Sequence, residues 1–152
     1  MKKRLLIIYH SQGGNTKKLA EACFEGIIEK QEVAVYFKKA LGTTLQDIEN
    51  CDGLIIVTPE YFGTMSGAVK DFFDRTYYPA REKGINLPFA LIICCENEGE
   101  GTQRDIEKIA KGYILRKNLE TLIIKEKEIE TRIQEAKEFG QTFAAGLALG
   151  IF

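Results

Sequence analysis

Nothing in the 152-residue sequence approaches the ~20 consecutive apolar residues that cross a bilayer. The N-terminal MKKRLLIIYH also lacks the small-residue cleavage site of a secretory leader, so a cytoplasmic protein without a membrane span is expected. There is no excess of charge of one sign: 21 basic against 22 acidic residues leave a formal net charge of −1. That balance removes the general electrostatic reason to expect nucleic acid or an anionic membrane as a partner. The four cysteines, Cys23, Cys51, Cys94 and Cys95, form no C-x-x-C pair and no secreted-type framework, which argues against a zinc site and a disulfide scaffold. They read as small buried hydrophobes, the adjacent Cys94 and Cys95 included. Linkers, repeats and low-complexity tracts are missing too. At this length the chain is expected to form one domain over residues 1–152.

What the sequence does have is a succession of short apolar runs: Leu5–Tyr9, Val33–Phe37, Leu54–Thr58, Phe89–Cys94 and Leu119–Ile124. Runs without polar alternation mark strands covered on both faces, as in a parallel sheet. Helical periodicity fills the gaps, over Asn15–Glu29, Leu45–Asn50, Ser66–Thr76, Thr102–Arg116 and from Glu128 onward. Five strands alternating with five helices, joined by right-handed crossovers, predict a three-layer α/β fold. The expected sheet is five-stranded and parallel, in the order 2-1-3-4-5, with helices on both faces. Such sheets bind ligands at the carboxyl ends of their strands, beside the first. The loops after strands one, three and four are therefore the candidate site.

The first of these, Ser11-Gln12-Gly13-Gly14-Asn15-Thr16, runs straight into a helix. A helix N-terminus offers unpaired N–H groups and a positive dipole end, and glycines let the backbone wrap an anion closely. The loop matches neither G-x-x-x-x-G-K-[ST] nor G-x-G-x-x-G, so it suits a phosphate monoester better than a triphosphate or a dinucleotide pyrophosphate. Ser11 or Asn15 acting as a plain helix cap is the structural alternative. The second loop, Thr58-Pro59-Glu60-Tyr61-Phe62-Gly63-Thr64, sets two aromatics beside a glycine. It offers a flat apolar surface with backbone donors, suited to a planar ring.

On these residues the sequence resembles the flavodoxin superfamily. "YHSQGGNTKKLAEA" is similar to its phosphate loop and first helix. "TPEYFGTMSGAVKDFFDR" is similar to the second flavin loop of its small FMN-dependent reductase branch, that of WrbA-like NAD(P)H:quinone oxidoreductases and NADPH-dependent FMN reductases. The resemblance implies FMN as cofactor. Ser11, Gln12, Gly13, Gly14, Asn15 and Thr16 would surround its phosphate, and Thr58 would face the ribityl chain. Pro59, Glu60, Tyr61, Phe62, Gly63 and Thr64 would wrap the isoalloxazine, and the third loop, with Glu96, Asn97 and Gly99, would close its other side. Lys17 and Lys18 fall on the solvent side of their helix, so neutral donors are expected to carry the phosphate.

The third loop has no Phe, Tyr or Trp between residues 94 and 102. Electron-carrier flavodoxins usually place an aromatic there, so one flavin face is expected to be open to a nicotinamide or a quinone. The rim carboxylates Glu60, Glu96, Glu98 and Glu100 argue the other way, toward an electron carrier with a positively charged protein partner. His10, the only histidine, reads as a strand-end residue. Two functions follow from the resemblance. The leading one is an oxidoreductase passing electrons from NAD(P)H through FMN to a quinone, flavin or other acceptor. The alternative is a flavodoxin-type electron-transfer protein with no substrate of its own. The branch implies a homo-oligomer, dimer or tetramer. The apolar tail "FGQTFAAGLALGIF" would pack on the sheet or in a subunit contact, and Tyr77 or Tyr78 could reach a neighbour's flavin.

Overall fold

A computed structural model describes residues Met1–Phe152. Its strands are β1 (Arg4–Tyr9), β2 (Ala34–Lys39), β3 (Gly53–Tyr61), β4 (Thr64–Met65), β5 (Leu87–Cys95), β6 (Leu115–Lys117) and β7 (Leu122–Lys125). The helices are α1 (Asn15–Lys30), α2 (Leu45–Glu49), α3 (Gly67–Glu82), α4 (Glu100–Tyr113) and α5 (Ile129–Ala148). The main sheet runs β2-β1-β3-β5-β6, all parallel, with β7 also paired to β5 and the short β4 folded back antiparallel on β3. The expected order is therefore present, with seven strands in place of five.

The difference has two sources. The two-residue β4 makes a hairpin with the end of β3, too short to leave an alternating pattern in the sequence. The expected fifth strand is broken: β6 pairs with Leu87–Phe89 and β7 with Ile92–Cys95, so residues 118–121 leave the edge opposite Ala90 and Leu91. Leu115 and Arg116, expected at the tail of the fourth helix, lie in strand β6. Ile114 adopts a left-handed φ of 64° and ends α4 one residue earlier. In α3 the chain stays helical through Pro79 to Glu82, past the end at Thr76 that the periodicity predicts. Pro79 removes a single amide near the end of the helix, and the last turn still closes by Lys83 N–H donating to the Pro79 carbonyl.

Pleating divides the apolar runs between two cores. Leu6, Ile8, Leu54, Ile56, Leu91 and Ile93 face α2, α3 and α4, where Ile48, Phe72, Phe73, Ile106 and Tyr113 complete one cluster. Leu5, Ile7, Ile55, Val57, Ala90 and Ile92 face α1 and α5 and meet Leu19, Cys23, Ile27, Phe143 and Leu147. Both faces are thus covered along β1, β3 and β5. β2 is an edge strand without a fully buried residue, so the run Val33–Phe37 is less enclosed than its composition suggests. α1 and α5 touch backbone to backbone: a methyl group on Gly140 would lie 2.5 Å from the Cys23 carbonyl oxygen. No helix is long and apolar enough to cross a membrane.

Candidate functional site

The carboxyl ends of β1, β3 and β5 bring the three predicted loops to one edge. After β1 the chain turns through Ser11–Gly14 into α1. Gly14 is the N-cap, at φ 102°, and no side chain caps the helix. The Ser11 hydroxyl accepts the Gly14 N–H at 3.0 Å and so closes the loop rather than the helix. Asn15 is the first helical residue. The structural alternative of a simple side-chain cap is absent, and the first-turn amides keep their capacity to donate. A methyl group built on Gly13 or Gly14 would meet no atom within 4 Å, so the space in front of the loop is open.

That space is a cleft of about 480 Å³, lined by His10, Ser11, Gln12, Gly13, Gly14 and Lys17 together with Lys39 at the end of β2 and Leu41 in the turn that follows it. Lys39 lies opposite Tyr9 in the sheet register. Lys38 is paired with Asp47 and Lys17 with Glu21, whereas Lys39 has no carboxylate partner. Its backbone is fixed: the Lys39 carbonyl accepts the Thr43 hydroxyl at 2.8 Å, and Arg75 of α3 donates to the carbonyls of Ala40 and Thr43. Neither Lys39 nor Leu41 is among the residues expected there from the sequence. The signal was available, because the order 2-1-3 puts the end of β2 beside the first loop. Burial, and after it the Lys39 charge, holds the His10 imidazole below its ordinary pKa, so it is neutral at pH 7.

The second loop is the β3–β4 hairpin. Its two turn residues, Phe62 at φ 53° and Gly63 at φ 77°, are both left-handed, the geometry that two-residue hairpins favour. Tyr61 and Phe62 part company there. Tyr61 turns toward the first loop, its ring edge-on to His10 at 6.2 Å and its hydroxyl beside the Gln12 backbone. Phe62 is wholly exposed. Thr58 lies inside the protein, its hydroxyl donating to the Pro59 carbonyl and accepting the Ser66 N–H. Thr16 is buried as well, with its hydroxyl beside the Cys94 thiol.

Glu60 has a use that the sequence does not suggest. Its carboxylate accepts the N–H of Gly99 at 3.2 Å, the N–H of Thr102 at 3.3 Å and the Thr102 hydroxyl at 2.7 Å. Gly99, at φ 78°, is the N-cap of α4 and has no side chain of its own to offer. Glu60 therefore caps the helix that follows the third loop, and its charge is answered by that helix end rather than standing on the rim. Glu96, Asn97, Glu98 and Glu100 remain exposed, while Gly99 is buried. Cys94 and Cys95 are buried on opposite faces of the sheet, in different cores. Burial raises both thiols, Cys95 to about 11. Tyr77 packs within its own chain, edge-on to Tyr113 at 5.9 Å, and Tyr78 is exposed.

An uncapped helix N-terminus with room for an anion, next to an aromatic hairpin on the same edge of a doubly wound parallel sheet, defines a flavodoxin-like α/β protein. A family model described as NADPH-dependent FMN reductase matches residues 18–116, well over half of the chain, and the chain belongs to that family. It is similar to a flavodoxin of Aquifex aeolicus (strain VF5), 37% identical over 71 residues, 47% of this chain and 38% of that protein. It is also similar to an NAD(P)H dehydrogenase (quinone) of Acidithiobacillus ferrooxidans (strain ATCC 53993 / BNL-5-31), 32% identical over 93 residues, 48% of this chain and 46% of the relative. The chain thus spans less than half the length of these two relatives. Among solved structures, a flavodoxin from the domain Archaea superposes with a TM-score of 0.79 at 20% identity, covering 95% of this chain and 98% of the other. At that identity the likeness concerns the fold.

Proposed function

We propose that the chain is a single FMN-binding domain that takes electrons from NAD(P)H and passes them to a quinone, a free flavin or another small acceptor. The observation that carries this reading is the uncapped N-terminus of α1, with open space at Gly13 and Gly14, facing the same edge as the Tyr61–Thr64 hairpin. A phosphate monoester joined to a planar ring fits that donor set. Ser11, Gln12, Gly13, Gly14 and Asn15 hold the phosphate, with Thr16 supporting the loop from inside. The backbone of Pro59–Thr64 and of Glu96, Asn97 and Gly99 borders the ring, while buried Thr58 shapes the wall behind it. FMN, when bound, supplies the electron-transfer chemistry, and the chain binds, orients and shields it. The third loop brings no aromatic side chain, which leaves one face free for donor and acceptor in turn.

Anaerobic mixing of the FMN-loaded protein with NADH or NADPH tests this reading: the 450 nm flavin band should bleach with at least one of them. A flavodoxin-type electron carrier is the second reading, favoured by the exposed Glu96, Glu98 and Glu100 around the site, which would attract a basic redox protein. A band that persists for minutes with both nucleotides, yet bleaches with a chemical reductant, selects it. Association with a second copy of the chain belongs to either reading. It is supported by Leu149 and Ile151, which stay exposed although Phe152 folds back on Phe143, and light scattering of the purified protein would measure it.

A further inference from the structure

The hairpin that borders the proposed ring site is held from behind at three points. Glu60, at its base on β3, caps α4 through Gly99 and Thr102. Thr64, on the returning strand, donates to Asp105 of α4 at 2.8 Å. Between them the Gly63 carbonyl oxygen lies so close to Gly101 that any side chain there would collide with it. The tip needs such support. Phe62 occupies a left-handed conformation that L-residues disfavour, and its wholly exposed ring finds no packing in return. At the tip itself only Gly63 favours a left-handed turn. Its geometry is imposed through the base of the hairpin and the first two turns of α4.

We propose that Glu60, Thr102, Gly101 and Asp105 form a positioning latch, which sets the Phe62–Gly63 backbone against the flavin ring without the side chain of Glu60, Thr102 or Asp105 reaching it. The inference rests on the FMN reading above and adds that second and third loops act as one rigid unit. Ring affinity and the electronic surroundings of the ring then depend on α4, whereas the phosphate end does not.

The test compares wild type with Glu60→Ala, Glu60→Gln and Thr64→Val, the last removing one part-buried hydrogen bond in a protein that keeps its core. Affinities for FMN and for riboflavin are measured by fluorescence quenching, with the absorption spectrum and midpoint potential of bound FMN. Hydrogen exchange over residues 61–65 is followed in the apoprotein. Glu60→Ala should weaken both flavins by the same factor, about tenfold or more, and should shift both the spectrum and the potential. Glu60→Gln keeps one acceptor and should recover part of each, and Thr64→Val should move them in the same direction by less. If all three variants bind both flavins as wild type does, with unmoved spectrum and potential, the latch serves stability alone and the proposal is wrong. Wild-type protein that binds neither flavin overturns the FMN reading and the positioning role together. Faster exchange over 61–65 in Glu60→Ala would then show the latch as a purely structural one.

Discussion

At the first loop a helix N-terminus stands uncapped, with open space around its glycines; at the third, the same kind of terminus is filled by a carboxylate from another strand. Both helices begin at a left-handed glycine with no side-chain cap of its own, so local sequence alone does not separate them. What separates them is what stands opposite. In front of α1 there is a cleft bordered by an uncommitted lysine and a neutral imidazole. In front of α4 there is the base of the hairpin. A vacant helix end attracts an external anion, and an occupied one becomes a joint within the protein.

The contrast can be broken most sharply in the apoprotein. Thr102→Val keeps the shape of a fully buried side chain but removes a hydroxyl from Glu60. It should lower stability by about 1–2 kcal/mol in urea unfolding. Ser11→Ala, at the open end, should change it by about 0.5 kcal/mol or less. Equal losses would mean that the two ends are built alike. A smaller effect tests the cleft. Lys39→Gln should weaken FMN about fivefold, on the order of 1 kcal/mol, leave riboflavin unchanged and flatten the salt dependence of FMN binding. A parallel loss for riboflavin would place Lys39 away from the phosphate.

The smallest expected effect is a pH dependence. His10 titrates below its ordinary value of 6.5 in the folded protein, so the unfolded chain takes up the proton first. Its contribution to stability is therefore complete above about pH 6.5 and is lost as the pH falls toward the folded pKa. Urea unfolding of the apoprotein between pH 7.5 and 5.5 should show that decline, and His10→Gln should reduce it. An undiminished slope in the variant would assign the decline to other groups. Lys39→Gln should also bring the His10 titration, followed by NMR, back toward its ordinary value.

Apolar runs that pleat into two cores are written residue by residue, which is why the layers, the strand order and the meeting of three loops at one edge were legible from Leu5–Tyr9, Leu54–Thr58 and Phe89–Cys94. The glycines of the first loop were legible for the same reason, since their pattern is local. Glu60 was not. Its partners lie 39 and 42 positions away, and a glutamate beside two aromatics looks no different whether it faces solvent or caps a distant helix. Lys39 was hidden differently: it borders the cleft from the neighbouring strand, so finding it required the sheet order to be carried one step further. The split of Tyr61 from Phe62 depends on a turn geometry that Phe62 disfavours and that its own identity could not announce.

The break in the last strand has a consequence for how such a chain can change. Between Lys117 and Leu122 the edge ladder is already interrupted, with Ala90 and Leu91 of β5 left without edge-strand partners and the Asn118 side-chain oxygen Oδ1 and Thr121 hydroxyl unmatched. Residues inserted there would break no pairing in the sheet and would add mainly loop-closure entropy, about 0.6 kcal/mol for each doubling of length. The gap is thus a place, midway along the sheet edge, where the fold can be lengthened, by evolution or by an engineer, without inserting into the three loops at the carboxyl ends of its strands.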